Sequence, residues 1–168
     1  EAYLHLGAIN TELGELEDAE VNTRKAIALN EKSQRAYTNL GAILTKQNRL
    51  KEARLYTIKA LELNPNDVNA NINLGGILID EQNSSEGERY TKKALEIDSN
   101  NHQAIINLGV IMVNKGNFKE AEKLLFKSLK NEKQKFKSLF YLSKLRELEN
   151  QEKLENILFQ NADTNLIN

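Results

Sequence analysis

The residues best suited to chemistry in this sequence are side-chain amides that recur at a fixed interval. Asn39, Asn73 and Asn107 follow one another at steps of 34 residues. Each side-chain amide carries N–H donors and a carbonyl acceptor, so it can bond the N–H and C=O groups of a peptide without reading its sequence. A regular row of such amides predicts a surface that binds an extended backbone.

Residues that could carry catalysis or bind a metal are scattered along the chain. The sequence contains no cysteine, which excludes disulfides, thiolate zinc sites and cysteine nucleophiles. His5 and His102 lie nearly three of these intervals apart, too far to meet in one metal site or catalytic triad on an extended fold. Acidic pairs such as Glu17 and Asp18 occur among lysines, as on a solvated helix face. We therefore expect no catalysis, no cofactor and no metal.

Composition points to a folded helical chain without a strongly charged partner. The 168 residues are 40% hydrophobic, contain one proline and carry a formal charge of -1. This length suits a single domain, and the leucine- and lysine-rich composition favours an all-α fold. A near-neutral charge argues against nucleic-acid binding through bulk charge, and no apolar run reaches the roughly 18 residues of a membrane span. The first residue is Glu1, so we expect a piece of a longer protein, with a cytoplasmic location as the default.

The interval of 34 residues extends through the whole chain. Leu-Gly pairs mark it at Leu6-Gly7, Leu40-Gly41, Leu74-Gly75 and Leu108-Gly109. Within a period, apolar residues at helical spacing predict a first helix, and a second run up to Leu63 predicts another that ends before Pro65. A glycine inside a helix costs about 1 kcal/mol relative to alanine. Its regular return indicates that the two helices of a unit pack closely there.

These residues resemble the tetratricopeptide repeat family. Its unit has a large residue at the fourth place, a Leu-Gly pair at the seventh and eighth, alanines at the twentieth and twenty-seventh, and proline at the thirty-second. The second unit matches through Tyr37, Leu40, Gly41, Ala53, Ala60 and Pro65. The resemblance implies an all-α, right-handed superhelical solenoid of antiparallel helix pairs, in which first helices line a concave groove and each unit contacts only its neighbours.

The repeat divides the chain into about five units of one solenoid domain. In the fifth, Glu155 occupies an alanine place, so we expect its second helix to be a solvated cap. The expected bounds within the single domain 1–168 are 1–33, 34–67, 68–101 and 102–135, a degenerate capping unit 136–162, and a tail 163–168.

The resemblance also assigns side chains to the groove. The second, fifth, sixth, ninth, twelfth and thirteenth places of each first helix are left facing inward. The expected peptide-binding residues are Asn39, Asn73, Asn107, Arg35, Asn69, Gln103, Lys46, Asp80, Asn114 and Tyr141, and an apolar strip is expected at Ile72, Ile106 and Phe140. Such a mixed surface suits a neutral or mildly amphipathic peptide.

The asparagine row is similar to the one in the repeat domain of the O-linked N-acetylglucosamine transferases, where it binds substrate peptides. That resemblance implies the same role for Asn39, Asn73 and Asn107. The alternative is a merely solvated groove, because asparagine is frequent throughout this chain. The lysine and asparagine clamp that other members use for chaperone tails is absent, since Leu4 and Ala8 stand in its places.

The function expected from these features is a non-catalytic scaffold whose partner is a protein or an extended peptide. One alternative is the substrate-recruiting segment of a larger glycosyltransferase- or sulfotransferase-type enzyme. Another is self-association through an uncapped N-terminal end around Tyr3 and Leu6. The basic stretch 127–137 is best explained by an ordinary helix end, so neither nucleic acid nor membrane is expected as a partner.

Overall fold

The computed structural model describes residues 1–129 and 135–165, and within them the chain forms nine α-helices and no β-strand. Consecutive helices pack as pairs, α1 with α2 through α7 with α8, and each pair packs against the next. Among the described helices, contacts reach only the neighbouring pair. The predicted all-α solenoid of helix pairs is therefore confirmed. The helices are α1 (Ala2–Leu13), α2 (Leu16–Leu29), α3 (Gln34–Lys46), α4 (Leu50–Leu63), α5 (Val68–Asp80), α6 (Ser84–Ile97), α7 (His102–Asn114), α8 (Phe118–Ser128) and α9 (Lys135–Asn165).

Local side chains fix where the inner helices start. Ser33, Asp67 and Asn101 cap α3, α5 and α7, because each side chain accepts a hydrogen bond from a backbone N–H of the first turn. Gly14 ends α1 at a φ of 82°, a left-handed conformation that glycine adopts without steric cost. These signals set the phase of the repeat.

Two adjacent glycines of α5 have different surroundings. A Cβ atom added at Gly75 would lie 2.5 Å from the Oγ1 atom of Thr91 on α6. At Gly76 the same atom would meet only the Nδ2 atom of Asn107, at an ordinary distance of 3.6 Å. The glycine of the Leu-Gly pair is therefore required by the close contact between the inner and outer helices, whereas its neighbour lies on the concave side.

Charged side chains link successive units. Arg49 of the second unit bonds the Glu20 carboxylate of the first at 2.6 Å, and Lys115 of the fourth unit pairs with Glu88 of the third. Burial would raise the pKa of Glu20, but hydrogen bonds from Arg24 and Arg49 outweigh it and hold that pKa below its usual value. Hydrogen bonds from lysines likewise lower the pKa of Glu88. The ionised carboxylates stabilise the unit boundaries.

The structure differs from the sequence prediction after the fourth unit. A degenerate helix pair was expected over 136–162, but α9 runs as one helix of 31 residues from Lys135 to Asn165. That segment contains neither glycine nor proline, the residues that most often end a helix, so the predicted pair and its turn are wrong. Residues 130–134, inside the basic stretch, and 166–168, at the end of the predicted tail, lie outside the described residues.

The two glycines yield a matched pair of substitutions. Gly75→Ala is expected to lower the free energy of unfolding by about 1–2 kcal/mol, because overpacking against Thr91 exceeds the gain in helix propensity. Gly76→Ala is expected to raise it by about 0.5–1 kcal/mol, since only the propensity changes. Urea denaturation followed by circular dichroism measures both. Equal effects of the two changes would contradict this account of the helix contact.

The lowered pKa of Glu20 predicts acid sensitivity. A carboxylate whose pKa is depressed in the folded state stabilises the fold above its unfolded pKa and loses that contribution as the pH falls. The free energy of unfolding should therefore decline as the pH drops below the ordinary glutamate value of 4.5. Denaturation across a pH series should show a shallower decline for Glu20→Gln. Glu96→Gln, an exposed position on α6, serves as the control and should keep the parental slope.

Candidate functional site

The inner helices α3, α5, α7 and α9 surround a cavity of about 260 Å³ on the concave face. Its floor includes Ala42, Gly76 and Val110, which occupy the same place in three successive units. Two of the three are among the smallest side chains, so a partner backbone can approach the helices closely. Lys137 and Tyr141 of α9 line the cavity from the following unit.

The structure brings six of the ten predicted side chains together at this cavity. They are Lys46, Asn73, Asp80, Gln103, Asn107 and Tyr141.

The other four lie outside the cavity lining. Arg35 and Asn69 are exposed in the first turns of α3 and α5. Asn114 donates a hydrogen bond to the Oγ atom of Ser84 at 3.0 Å, at the end of the unit rather than in the groove. Asn39 is partly buried, and its side chain makes no hydrogen bond within the part of the chain that the structure describes. Of the predicted asparagine row, Asn73 and Asn107 therefore line the cavity and Asn39 does not.

The asparagines hold neighbouring units together, a role that the sequence analysis missed. Asn107 donates from Nδ2 to the carbonyl oxygen of Ile72 at 3.1 Å, and Asn73 donates to that of Thr38 at 3.5 Å. Each acceptor lies 35 residues earlier, on the inner helix of the preceding unit. Asn107 is 5% exposed, and its Oδ1 atom accepts a bond from Gln103 at 2.8 Å. The 34-residue spacing places these amides on the same face of successive inner helices, but it does not give the distance between units on which the bonds depend.

The expected apolar strip is not a groove surface, and that prediction is wrong. Ile106 is fully buried and Ile72 is 6% exposed, because the fifth place packs between units. Phe140 remains exposed on α9. The lining of the cavity is nevertheless mixed, because Ile72, Ile77, Ile79 and Val110 border it together with small and polar side chains.

The charged groups of the cavity are not neutralised in pairs. Asp80 and Lys137 both line it, but no ion pair within 4 Å joins them. Desolvation raises the pKa of Asp80 and lowers that of Lys137, and the attraction between the two opposes both shifts. Desolvation also raises the pKa of Tyr141, with a further contribution from the negative charge of Asp80. A ligand that supplies complementary polar groups would offset the free-energy cost of this desolvation.

Other kinds of site find little support in the described ranges. Among the side chains that the structure describes, no three histidine, aspartate or glutamate residues cluster closely enough to hold a metal. None of the described helices combines the length and apolar character that a membrane crossing requires.

The fold and groove define a helical-repeat protein suited to binding other proteins. Residues 1–33 and 35–67 match family models described as tetratricopeptide repeat, so these repeats are present in the chain. No curated protein sequence matches the chain significantly.

Solved structures of similar fold support the helical-repeat architecture. PilF of Pseudomonas aeruginosa is 22% identical with a TM-score of 0.75, over 89% of this chain and 68% of that one. MamA is 25% identical with a TM-score of 0.66, over 80% of this chain and 79% of its own. YrrB, described as a TPR protein with an unusual peptide-binding site, is 20% identical with a TM-score of 0.66, over 88% and 76% of the two chains.

The asparagine contacts predict unequal effects of alanine substitution. Asn107→Ala removes a buried bond between units and is expected to lower the free energy of unfolding by about 1 kcal/mol. Asn39→Ala, at the equivalent place two units earlier, should change the free energy of unfolding by less than about 0.5 kcal/mol. Chemical denaturation of both variants measures the difference. A loss as large for Asn39→Ala as for Asn107→Ala would contradict the linking role.

Proposed function

We propose that this protein is a non-catalytic scaffold that binds an extended peptide or partner segment along its concave groove. The observation that carries the proposal is the cavity beside Gly76, on which the inner helices of four successive units converge. The likeness to YrrB, which is described as having a peptide-binding site, supports a peptide as the class of ligand.

The cavity offers two kinds of contact to such a segment. Asn73 and Asn107 each use one amide N–H on a neighbouring unit, which leaves a second N–H for the ligand. Gln103 lies beside them. These amides would bond the backbone of the segment, while Asp80 and Lys137 would select for its side chains.

A substitution that fills the cavity without disturbing the core tests this proposal. Gly76→Leu places a bulky side chain on the cavity floor, where a Cβ atom meets only ordinary contacts. Peptides selected by the wild-type protein from a displayed random library should bind this variant at least tenfold more weakly.

The matched control is Glu96→Leu, which puts the same side chain on the exposed face of outer helix α6. It should bind the selected peptides as the wild type does. Equal binding by Gly76→Leu and the wild type would reject the groove as the binding site. So would an NMR titration of the wild type with a selected peptide in which the chemical shifts change only in the outer helices.

The substrate-recruiting segment of a larger glycosyltransferase- or sulfotransferase-type enzyme would use the same groove. That alternative and the cytoplasmic location stay predictions from the sequence.

Exposed apolar residues on α1 favour self-association as a second role. Leu6 and Ile9 are 45% and 52% exposed, although Leu40 and Ile43, at the same places of the second unit, are fully buried. Leu40 and Ile43 are covered because α3 packs against the preceding helices α1 and α2. Burying the corresponding surface of α1 against another molecule would yield about 25 cal/mol per Å² of apolar area.

A further inference from the structure

The charged side chains that line the cavity differ in whether they already have a partner. They are Lys46, Asp80 and Lys137. Lys46 donates from its Nζ atom to the carbonyl oxygen of Thr11 on α1, at 3.3 Å, and Thr11 is not part of the lining. Among the residues that the structure describes, neither Asp80 nor Lys137 has a hydrogen-bond or ion-pair partner. These two charges are therefore the ones left for a ligand.

Asp80 and Lys137 reach the cavity from opposite sides of α7. Asp80 is the last residue of α5, and Lys137 lies in the first turn of α9. Among the described helices, α5 and α9 each pack against α7 but not against each other. The lining residues that α7 contributes, Gln103, Asn107 and Val110, are uncharged. A ligand side chain in the cavity would therefore lie between an anion and a cation.

This arrangement is unfavourable for a charged or an apolar side chain. A cationic group would be attracted by Asp80 and repelled by Lys137, and an anionic group would meet the reverse, so the two contributions largely cancel. An apolar group would cover both charges without offering either a hydrogen bond, which leaves them desolvated and unpaired. The raised pKa of Asp80 and the lowered pKa of Lys137 indicate that the cavity already desolvates both groups. The favoured side chain is uncharged and carries both a donor and an acceptor.

We propose that the cavity selects a glutamine or asparagine side chain of the bound segment, whose amide N–H donates to Asp80 while its carbonyl oxygen accepts from Lys137. A carboxamide has its donor and its acceptor on separate atoms, unlike a hydroxyl, so it can contact both walls at once. Gln103 bonds Asn107 through its Nε2 atom, which leaves its Oε1 atom free to accept the second N–H of the ligand amide. This inference rests on the proposed function, because it names the side chain that the groove recognises.

Peptides that the wild-type protein selects from a displayed random library test the inference. The selected sequences should share a glutamine or asparagine at one position. Synthetic versions of one such peptide are then made with glutamate, lysine or methionine at that position. Isothermal titration calorimetry should show that each of the three binds the wild type roughly tenfold more weakly than the selected peptide does.

Variants that each remove one charge should shift the preference in opposite directions. Asp80→Asn leaves Lys137 unopposed, so it should bind the glutamate peptide roughly tenfold more tightly than the wild type does. Lys137→Met leaves Asp80 unopposed and should bind the lysine peptide more tightly by a similar factor. Combining Asp80→Lys with Lys137→Asp exchanges the two charges and should keep the preference for the amide, because a carboxamide can turn over.

The matched controls remove a charge from an outer helix. Lys51→Met on α4 and Glu96→Gln on α6 alter exposed positions and should rank the peptides as the wild type does. Asp80 and Lys137 are also exposed, and the helical circular-dichroism signal checks that each variant is folded. Asp80→Ala or Lys137→Ala replaces a variant that is not.

The failure of this inference and that of the proposed function give different results. Selected peptides that bind Gly76→Leu as tightly as the wild type would place the binding site outside the groove, and both proposals would then be wrong. Peptides that lose affinity for Gly76→Leu, but carry a charged or apolar residue where the amide is expected, would reject the carboxamide and keep the groove. An unchanged ranking of the peptides by Asp80→Asn and Lys137→Met would do the same.

Discussion

The close approach of the inner and outer helix in each unit is the constraint on which the rest of the structure depends. At Gly75 a single Cβ atom would already collide with Thr91, and Ala53 and Ala60 are fully buried in the second unit. Because the pairs are this tight, each unit is a rigid block, and one block can stack on the next in a constant geometry. The concave groove is a product of that stacking.

Much of this architecture could be predicted from the sequence because its causes are local or periodic. The Leu-Gly pairs, Pro65 and the capping Asp67 act within a few residues, and the 34-residue repeat multiplies their signal. The structure of the C-terminal part, after the fourth unit, was harder to predict. The fifth unit retains part of the repeat pattern, yet without glycine or proline to interrupt it the helix continues through Asn165.

The candidate site was predictable in position but not in detail. The repeat places Asn73 and Asn107 on the concave side, and the structure finds both at the cavity. Their bonds to Thr38 and Ile72 depend on the distance between successive units, which no single-sequence pattern gives. The same distance decides that the fifth place is buried in the first four units. The groove amides therefore hold neighbouring units together, and the proposed peptide binding would use only the donors that remain.

Equivalent positions at the ends of the inner helices show how such a surface can diversify. The thirteenth place is a cation, Lys46, in the second unit and an anion, Asp80, in the third, and both line the cavity. In the fourth unit it is a neutral amide, Asn114, which lies outside the cavity lining. All three are exposed, so exchanging one for another disturbs no buried neighbour. Since described contacts extend only to adjacent pairs, such an exchange also leaves distant units untouched. Ligand preference can thus evolve one repeat at a time while the fold is inherited unchanged.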